Sequence, residues 1–101
     1  MMNANEVVSQ GNTRIMRIAG KFDFKLHRSF RELYEDAPRE ISSYVIDLSR
    51  TDYMDSSALG MLLLLREHVN GDRTRVRIVN CNPEIRKILE IANFDKLFDI
   101  A

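Results

Sequence analysis

The stretch Tyr44-Val45-Ile46-Asp47-Leu48 is rich in β-formers and almost continuous in apolarity. After a few polar residues it gives way to Asp55-Ser56-Ser57 and the apolar run Ala58 to Leu65. A short apolar run bounded by polar residues reads as a strand, and one that hardly alternates is expected of a central strand covered on both faces. The next segment reads as a helix from about Ser56 to Val69, apolar on almost every side in its first half. Asn70-Gly71-Asp72 ends it, with Gly71 suited to the left-handed position after a helix. A buried strand leading into a buried helix leaves few arrangements: the helix must cross over the sheet, and the next strand must lie parallel to the first.

The remaining segments fit that frame. Val7-Val8 and Arg14 to Ala19 read as two short strands around the turn Gln10-Gly11-Asn12, with Gly20 ending the second. Leu26, Phe30, Leu33, Tyr34 and Ala37 recur at helical spacing, which predicts a helix from about Lys25 until Pro38 stops it. Arg28, Arg31, Glu32 and Glu35 give it a wet face. In Arg75-Val76-Arg77-Ile78-Val79, arginines alternate with aliphatics, so one strand face is buried and the other polar. Asn82-Pro83-Glu84 is a cap followed by proline at the first helical position, and Ile85, Ile88, Leu89 and Ala92 form the buried stripe of that helix. Asn93 breaks it, and Phe94, Leu97, Phe98 and Ile100 form a last apolar segment. The order β-β-α-β-α-β-α describes an α/β domain with a mixed, mostly parallel sheet of about four strands packed with helices. With no repeat or linker, the 101 residues are expected to form one domain, 1–101, with a core of about 14–98.

Several chemistries find no support. Fifteen basic residues balance fifteen acidic ones, so no bulk field draws the chain to nucleic acid or anionic lipid. The start Met1-Met2-Asn3-Ala4-Asn5-Glu6 lacks the apolar core of a signal peptide. The longest apolar run falls far short of the roughly 20 residues that span a bilayer. With Cys81 the sole cysteine, a reduced cytoplasmic setting is expected. His27, His68 and Cys81 lie in no metal-ligand spacing, and neither a dinucleotide fingerprint nor a Walker loop occurs. Ser56 and Ser57 have no neighbouring histidine or lysine to act as base, so the chain is read as no enzyme and as needing no cofactor. Asp47, placed at the end of the third strand, invites comparison with a phospho-accepting receiver domain, but that chemistry wants an acidic pair and a lysine that are missing. It is read instead as bonding the backbone. Arg73, Arg75 and Arg77 are read as a solvated strand face rather than a phosphate stripe. Met54 and Met61 are read as core filler. Gly60, inside the helix start, costs about 1 kcal/mol against alanine, and close packing on neighbouring elements is the expected reason.

What remains is Asp55-Ser56-Ser57. A hydroxyl at a helix N-terminus sits where unpaired backbone N–H groups and the helix dipole favour an anion. Such a serine is either part of a plain cap or a site of reversible phosphorylation, and these residues alone leave both open.

Met54-Asp55-Ser56-Ser57-Ala58-Leu59-Gly60, after the strand Val45-Ile46-Asp47-Leu48, resembles the motif of STAS domains, specifically the bacterial anti-sigma factor antagonists. In that family a strand ending in Asp-Leu leads to Asp-Ser-[Ser/Thr]-Gly-Leu-Gly and an apolar helix. Gly20-Lys21-Phe22-Asp23 resembles the Gly-x-[Leu/Phe]-Asp signature after the family's early strand, and Asn80 to Phe94 resembles its last crossover. The resemblance runs from about Arg14 to Phe98. It departs at Ala58, where the family usually has glycine, and at Ala101, which is reached without the terminal helix many members carry. It implies a single STAS domain in which Ser56 is phosphorylated and Asp23, Asp55, Ser56, Ser57 and Leu59 meet the partner, with Ser57 the lesser candidate for modification. It also implies the partners: an anti-sigma factor that is itself a serine kinase, and a PP2C-type serine phosphatase. The unphosphorylated protein would hold the anti-sigma factor and free a sigma factor. No metal or cofactor is implied, and a monomer is expected.

Physical chemistry suits that role. If Asp55 caps the helix, Ser56 takes the first helical position and points outward. Phosphorylation adds about −1.5 to −2 charge to a patch already holding Asp52, Asp55 and, if its loop lies alongside, Asp23. Burying that phosphate against a partner costs several kcal/mol, and every ~1.4 kcal/mol is tenfold in affinity. Asp23 is read as ordering its loop or as touching the partner. The competing role keeps the fold but makes the chain a constitutive subunit of a larger regulatory or transport-associated complex, with Ser56 unmodified.

Overall fold

The computed structural model describes residues 5–101. The reading of Met1 to Ala4 lies outside the described residues. Strands β1 (Glu6–Gln10), β2 (Thr13–Phe22), β3 (Ser43–Met54), β4 (Val76–Val79) and β5 (Asp99–Ile100) form one sheet in that spatial order. Helices α1 (His27–Glu35), α2 (Ser56–His68) and α3 (Pro83–Ile91) make the crossovers. β1 and β2 are an antiparallel hairpin, and every later neighbour is parallel. The last apolar segment therefore adds a fifth strand to the four expected: Phe94 and Phe98 enter the core, and Asp99–Ile100 pairs with β4.

The core lies on one side of the sheet. Met16 pairs with Ile46 and Ile46 with Ile78, and all three are buried together with Ile18, Tyr44, Leu48 and Val76. Phe30, Leu33, Ala58, Met61, Leu62, Leu65, Ile85 and Leu89 join the same cluster from the helices. The alternate residues face outward, in rows such as Val8–Ile15–Val45–Arg77 and Glu6–Arg17–Asp47–Val79. Val45 and Asp47 are only half-buried, which corrects the expectation of a central strand covered on both faces. Arg17 pairs with Asp47 at 3.4 Å and Arg77 with Asp99 at 3.1 Å on this open side. Such side-by-side pairs and neighbouring aliphatics give one another partial cover without a second helical layer.

Several boundaries differ from those the pattern suggests, for identifiable reasons. Gly20 does not end β2. It takes φ +78° inside the strand, where β3 advances one residue further than β2, and a similar shift lies between Arg17 and Ala19. Glycine at positive φ within a ladder marks a bulge, not a stop. A 3-10 turn over Phe24–Leu26 precedes α1, which ends at Glu35, ahead of Pro38. α2 closes as expected, with Gly71 at φ +74° donating to the Arg66 carbonyl at 2.9 Å. Asn82 caps α3 by accepting from the Ile85 N–H at 2.8 Å. Ile88, expected in the buried stripe of α3, is exposed; Ile85 and Leu89 fill that role.

A buried threonine ties the displaced part of β3 to its neighbours. Thr51 Oγ1 donates to the Ile18 carbonyl at 2.7 Å, while the Thr51 carbonyl accepts from Asn82 Nδ2 at 3.3 Å. Thr51→Val keeps the shape but removes the hydroxyl bond to the Ile18 carbonyl, at a cost of about 1–3 kcal/mol. Urea unfolding should show that loss, and unchanged midpoints would mean the hydroxyl contributes nothing net.

Candidate functional site

β2 and β3 end together, with Phe22 opposite Met54 and both side chains buried. The next residue on each strand is an aspartate. Asp23 sits at φ −138°, ψ −172° and Asp55 at φ −130°, ψ −172°. Each carboxylate accepts the backbone N–H two residues on, from Lys25 and from Ser57, at 3.0 Å in both cases. One capping device is thus used twice on adjacent parallel strands. At Asp23 it starts the 3-10 turn, and at Asp55 it starts α2. Asp23 is itself buried, so it orders its loop.

Asp55 holds more than its cap. Its Oδ1 also accepts from Ser57 Oγ at 2.5 Å, and its Oδ2 accepts from the Tyr53 hydroxyl at 3.3 Å. The Ser57 hydroxyl, joined by the backbone N–H groups at the helix start, holds the Asp55 carboxyl below the ordinary aspartate range. The Asp55 charge in turn pushes the Tyr53 phenol up, with a smaller push from Asp23. Ser57 is therefore engaged with the Asp55 side chain. Ser56, at the first helical position, is exposed, and its hydroxyl has no hydrogen-bond partner among the described residues.

The surface around Ser56 is more apolar than its charges suggest. One turn along α2, a Cβ at Gly60 would meet nothing within 4 Å, so close packing within the chain does not explain that glycine. Two turns along, Leu63 and Leu64 are 40% and 45% exposed. Ala58, Met61, Leu62 and Leu65 go to the core, and Leu59 packs partly against it. An all-round apolar helix has thus placed only part of its apolar surface inside the fold. Tyr53, 44% exposed, has Lys21 Nζ 5.7 Å from its ring centroid, and Phe24, beside Asp23, is 68% exposed.

Other residues singled out from the sequence have structural partners. Asp47 lies within β3, not at its end, and accepts from Ser49 N at 2.9 Å and Asn80 Nδ2 at 3.3 Å. Burial raises its pKa, but these bonds and Arg17 outweigh that and hold it below the ordinary value. The three arginines are not one stripe: Arg73 donates to the Asp95 carbonyl, Arg75 to the Ser42 carbonyl, and Arg77 pairs with Asp99. His68 packs its ring against Tyr34 and Tyr44. Met54 and Met61 are core residues. Among the described residues, no helix is long and apolar enough to cross a membrane.

The STAS domain family model matches residues 4–101. A STAS-domain containing protein of Pseudomonas aeruginosa (strain UCBPP-PA14) is 47% identical over 93 residues, covering 92% of each chain. An anti-sigma F factor antagonist of Paenibacillus polymyxa is 25% identical over 88 residues, covering 85% of this chain and 75% of that one. The solved structure of the Bacillus cell fate determinant SpoIIAA in its phosphorylated form superposes with a TM-score of 0.68 at 18% identity, covering 97% of this chain and 91% of that one. That likeness is one of fold.

The Asp55 cap gives a pH test. A carboxyl whose folded pKa lies below its unfolded value of about 3.9 stabilises the fold above that value, and the gain is lost as pH falls through the folded pKa. Stability should therefore drop in acid below about pH 4. Asp55→Asn, which can still accept at the cap, should show a shallower drop in urea midpoints between neutral and acid pH. An unchanged slope would show that the cap carboxylate is not one of the groups responsible.

Proposed function

Because the chain belongs to the STAS domain family, we propose that it is an anti-sigma factor antagonist controlled by phosphorylation of Ser56. Unphosphorylated, it holds an anti-sigma factor and so frees a sigma factor for transcription. The anti-sigma factor is also the serine kinase that modifies Ser56, and a PP2C-type phosphatase restores the binding form. The protein acts in the cytoplasm by binding, without catalysis or cofactor of its own.

The observation that carries this reading is the presentation of Ser56. It is exposed and, among the described residues, unpartnered at the start of α2, between the Asp55 cap and the partly exposed Leu63 and Leu64. Asp23, Asp55 and Ser57 shape that surface through their hydrogen bonds, while Ser56 and the accessible part of Leu59 face the partner. A phosphate on Ser56 gains from the helix dipole and leaves the fold intact. Its cost appears on docking, when the dianion must lose water beside Asp55 with no cation supplied by this chain's cap. The name of the Paenibacillus relative agrees with this role.

Peptide mass spectrometry on the protein from its own host should find a phosphate on Ser56 that rises and falls with growth conditions. Ser56→Ala should bind the anti-sigma factor constitutively and Ser56→Asp weakly, with only part of the phosphate's charge. Equal binding by both variants, with no phosphate in any condition, would favour a constitutive subunit of a larger complex.

Gly60 supplies an independent check on where the partner sits. Gly60→Ala adds helix propensity worth about 1 kcal/mol, and its methyl meets nothing within 4 Å beyond the adjoining helix backbone, so thermal unfolding should shift upward. The same methyl should weaken the complex if the partner packs on that turn. A stabilised variant that binds as well as the parent would move the docking surface away from it.

A further inference from the structure

Phe24 is the counterpart of Ser56 on the neighbouring strand. Both stand two residues beyond the paired ends Phe22 and Met54. Both follow an aspartate with nearly the same backbone angles and the same cap to the residue two further on. Parallel neighbours lie about 4.8 Å apart, so equal conformations at the two aspartates put Phe24 and Ser56 at equivalent positions just beyond adjacent strand ends. The fold gives this phenylalanine little cover: it stays 68% exposed, next to a buried aspartate. Tyr53, two residues before Asp55, is held by its bond to that carboxylate and by Lys21 over its ring.

We propose that Phe24, with Tyr53 beside it, is the apolar anchor by which the partner docks, placing Ser56 inside the contact instead of at its rim. Resting on the proposed antagonist function, this commits to one occupant, the anti-sigma factor, and to its chemistry: an apolar socket for the two rings fringed by basic groups. Charge complementarity points that way: Asp55 bonds the Tyr53 hydroxyl, Asp52 is exposed just before that ring, and with the buried Asp23 these carboxylates outnumber Lys21 and Lys25 on the same two segments. Aromatic side chains at the centre of an interface carry a large share of its binding energy, while surrounding contacts exclude water. A phosphate added next to such an anchor must be dehydrated along with it, whereas one at a wet rim would keep its shell. The position of Phe24 thus explains why one modification can control the whole complex.

The probe is the full chain carrying the photo-crosslinking amino acid p-benzoylphenylalanine in place of Phe24, Leu63 or Arg39, expressed in its own host. Arg39 is exposed in the loop leading into β3, at the other end of the sheet. The expected result is a crosslink from position 24 to an ATP-binding serine kinase, lost when Ser56→Asp is added and absent from position 39. With that kinase purified, Phe24→Ala should weaken binding about tenfold or more and leave the unfolding midpoint unchanged, since the ring is exposed. A Ser56-dependent crosslink to the kinase from position 63 but not from 24, or full affinity in Phe24→Ala, would overturn the anchor and leave the function standing. No kinase crosslink from either position would overturn the function and the anchor with it.

Discussion

The parallel pairing of β2 with β3 is the constraint on which the site depends. These are the longest strands of the sheet, and their register brings Phe22 opposite Met54 at one common end. Two places where β3 runs a residue ahead let strands of unequal length finish together. Thr51, buried and bonded to the Ile18 carbonyl, holds the displaced part of β3 in place. From that end the chain turns twice by one device, an extended aspartate whose carboxylate caps the next turn of chain. If the register slipped by one residue, every side chain would change faces. Asp23 and Asp55 would then no longer leave the sheet as a pair.

Much of this was legible in the sequence because it rests on local rules. The Asn82-Pro83 start of α3, the Gly71 end of α2 and the Asp55 cap each follow from a few adjacent residues and their hydrogen-bonding capacity. The crossover order, and hence the parallel sheet, follows from the alternation of strand and helix patterns. What could not be read was set by tertiary placement. The apolarity of Tyr44 to Leu48 suggests cover on both faces, yet Val45, between Ile15 and Arg77 on the open side of the sheet, is only half-buried. Ile88 has the right helical spacing for the core but lies at the edge of the buried stripe. β5 is two residues long, below any periodic signal. Phe24 and Tyr53 are not recognisable from sequence as site residues, because exposure of an aromatic ring is not written in its neighbours. One signal was available: Asp23-Phe24 repeats, on the preceding strand, the position of Asp55-Ser56.

The proposed function makes the fold a scaffold that carries a chemical switch. Asp55 is committed to its cap by the Ser57 hydroxyl and backbone, and Asp23 is buried in an equivalent bond. Neither must move for Ser56 to be modified. Phosphate at the first turn of a helix is electrostatically acceptable to the monomer, so the proposed switch would draw its free energy from the interface, where water must be removed. On this view the protein changes partners without changing shape, and several kcal/mol come from desolvation and like charge.

That claim is tested most directly by comparing backbone amide NMR spectra of the full chain before and after stoichiometric phosphorylation of Ser56. Shift changes confined to the paired strand ends and the first turns of α2, roughly residues 21–25 and 53–60, are the expected result. Changes spreading through β4 and α3, or loss of dispersion, would show that phosphorylation works by refolding the domain and would contradict a switch confined to the interface.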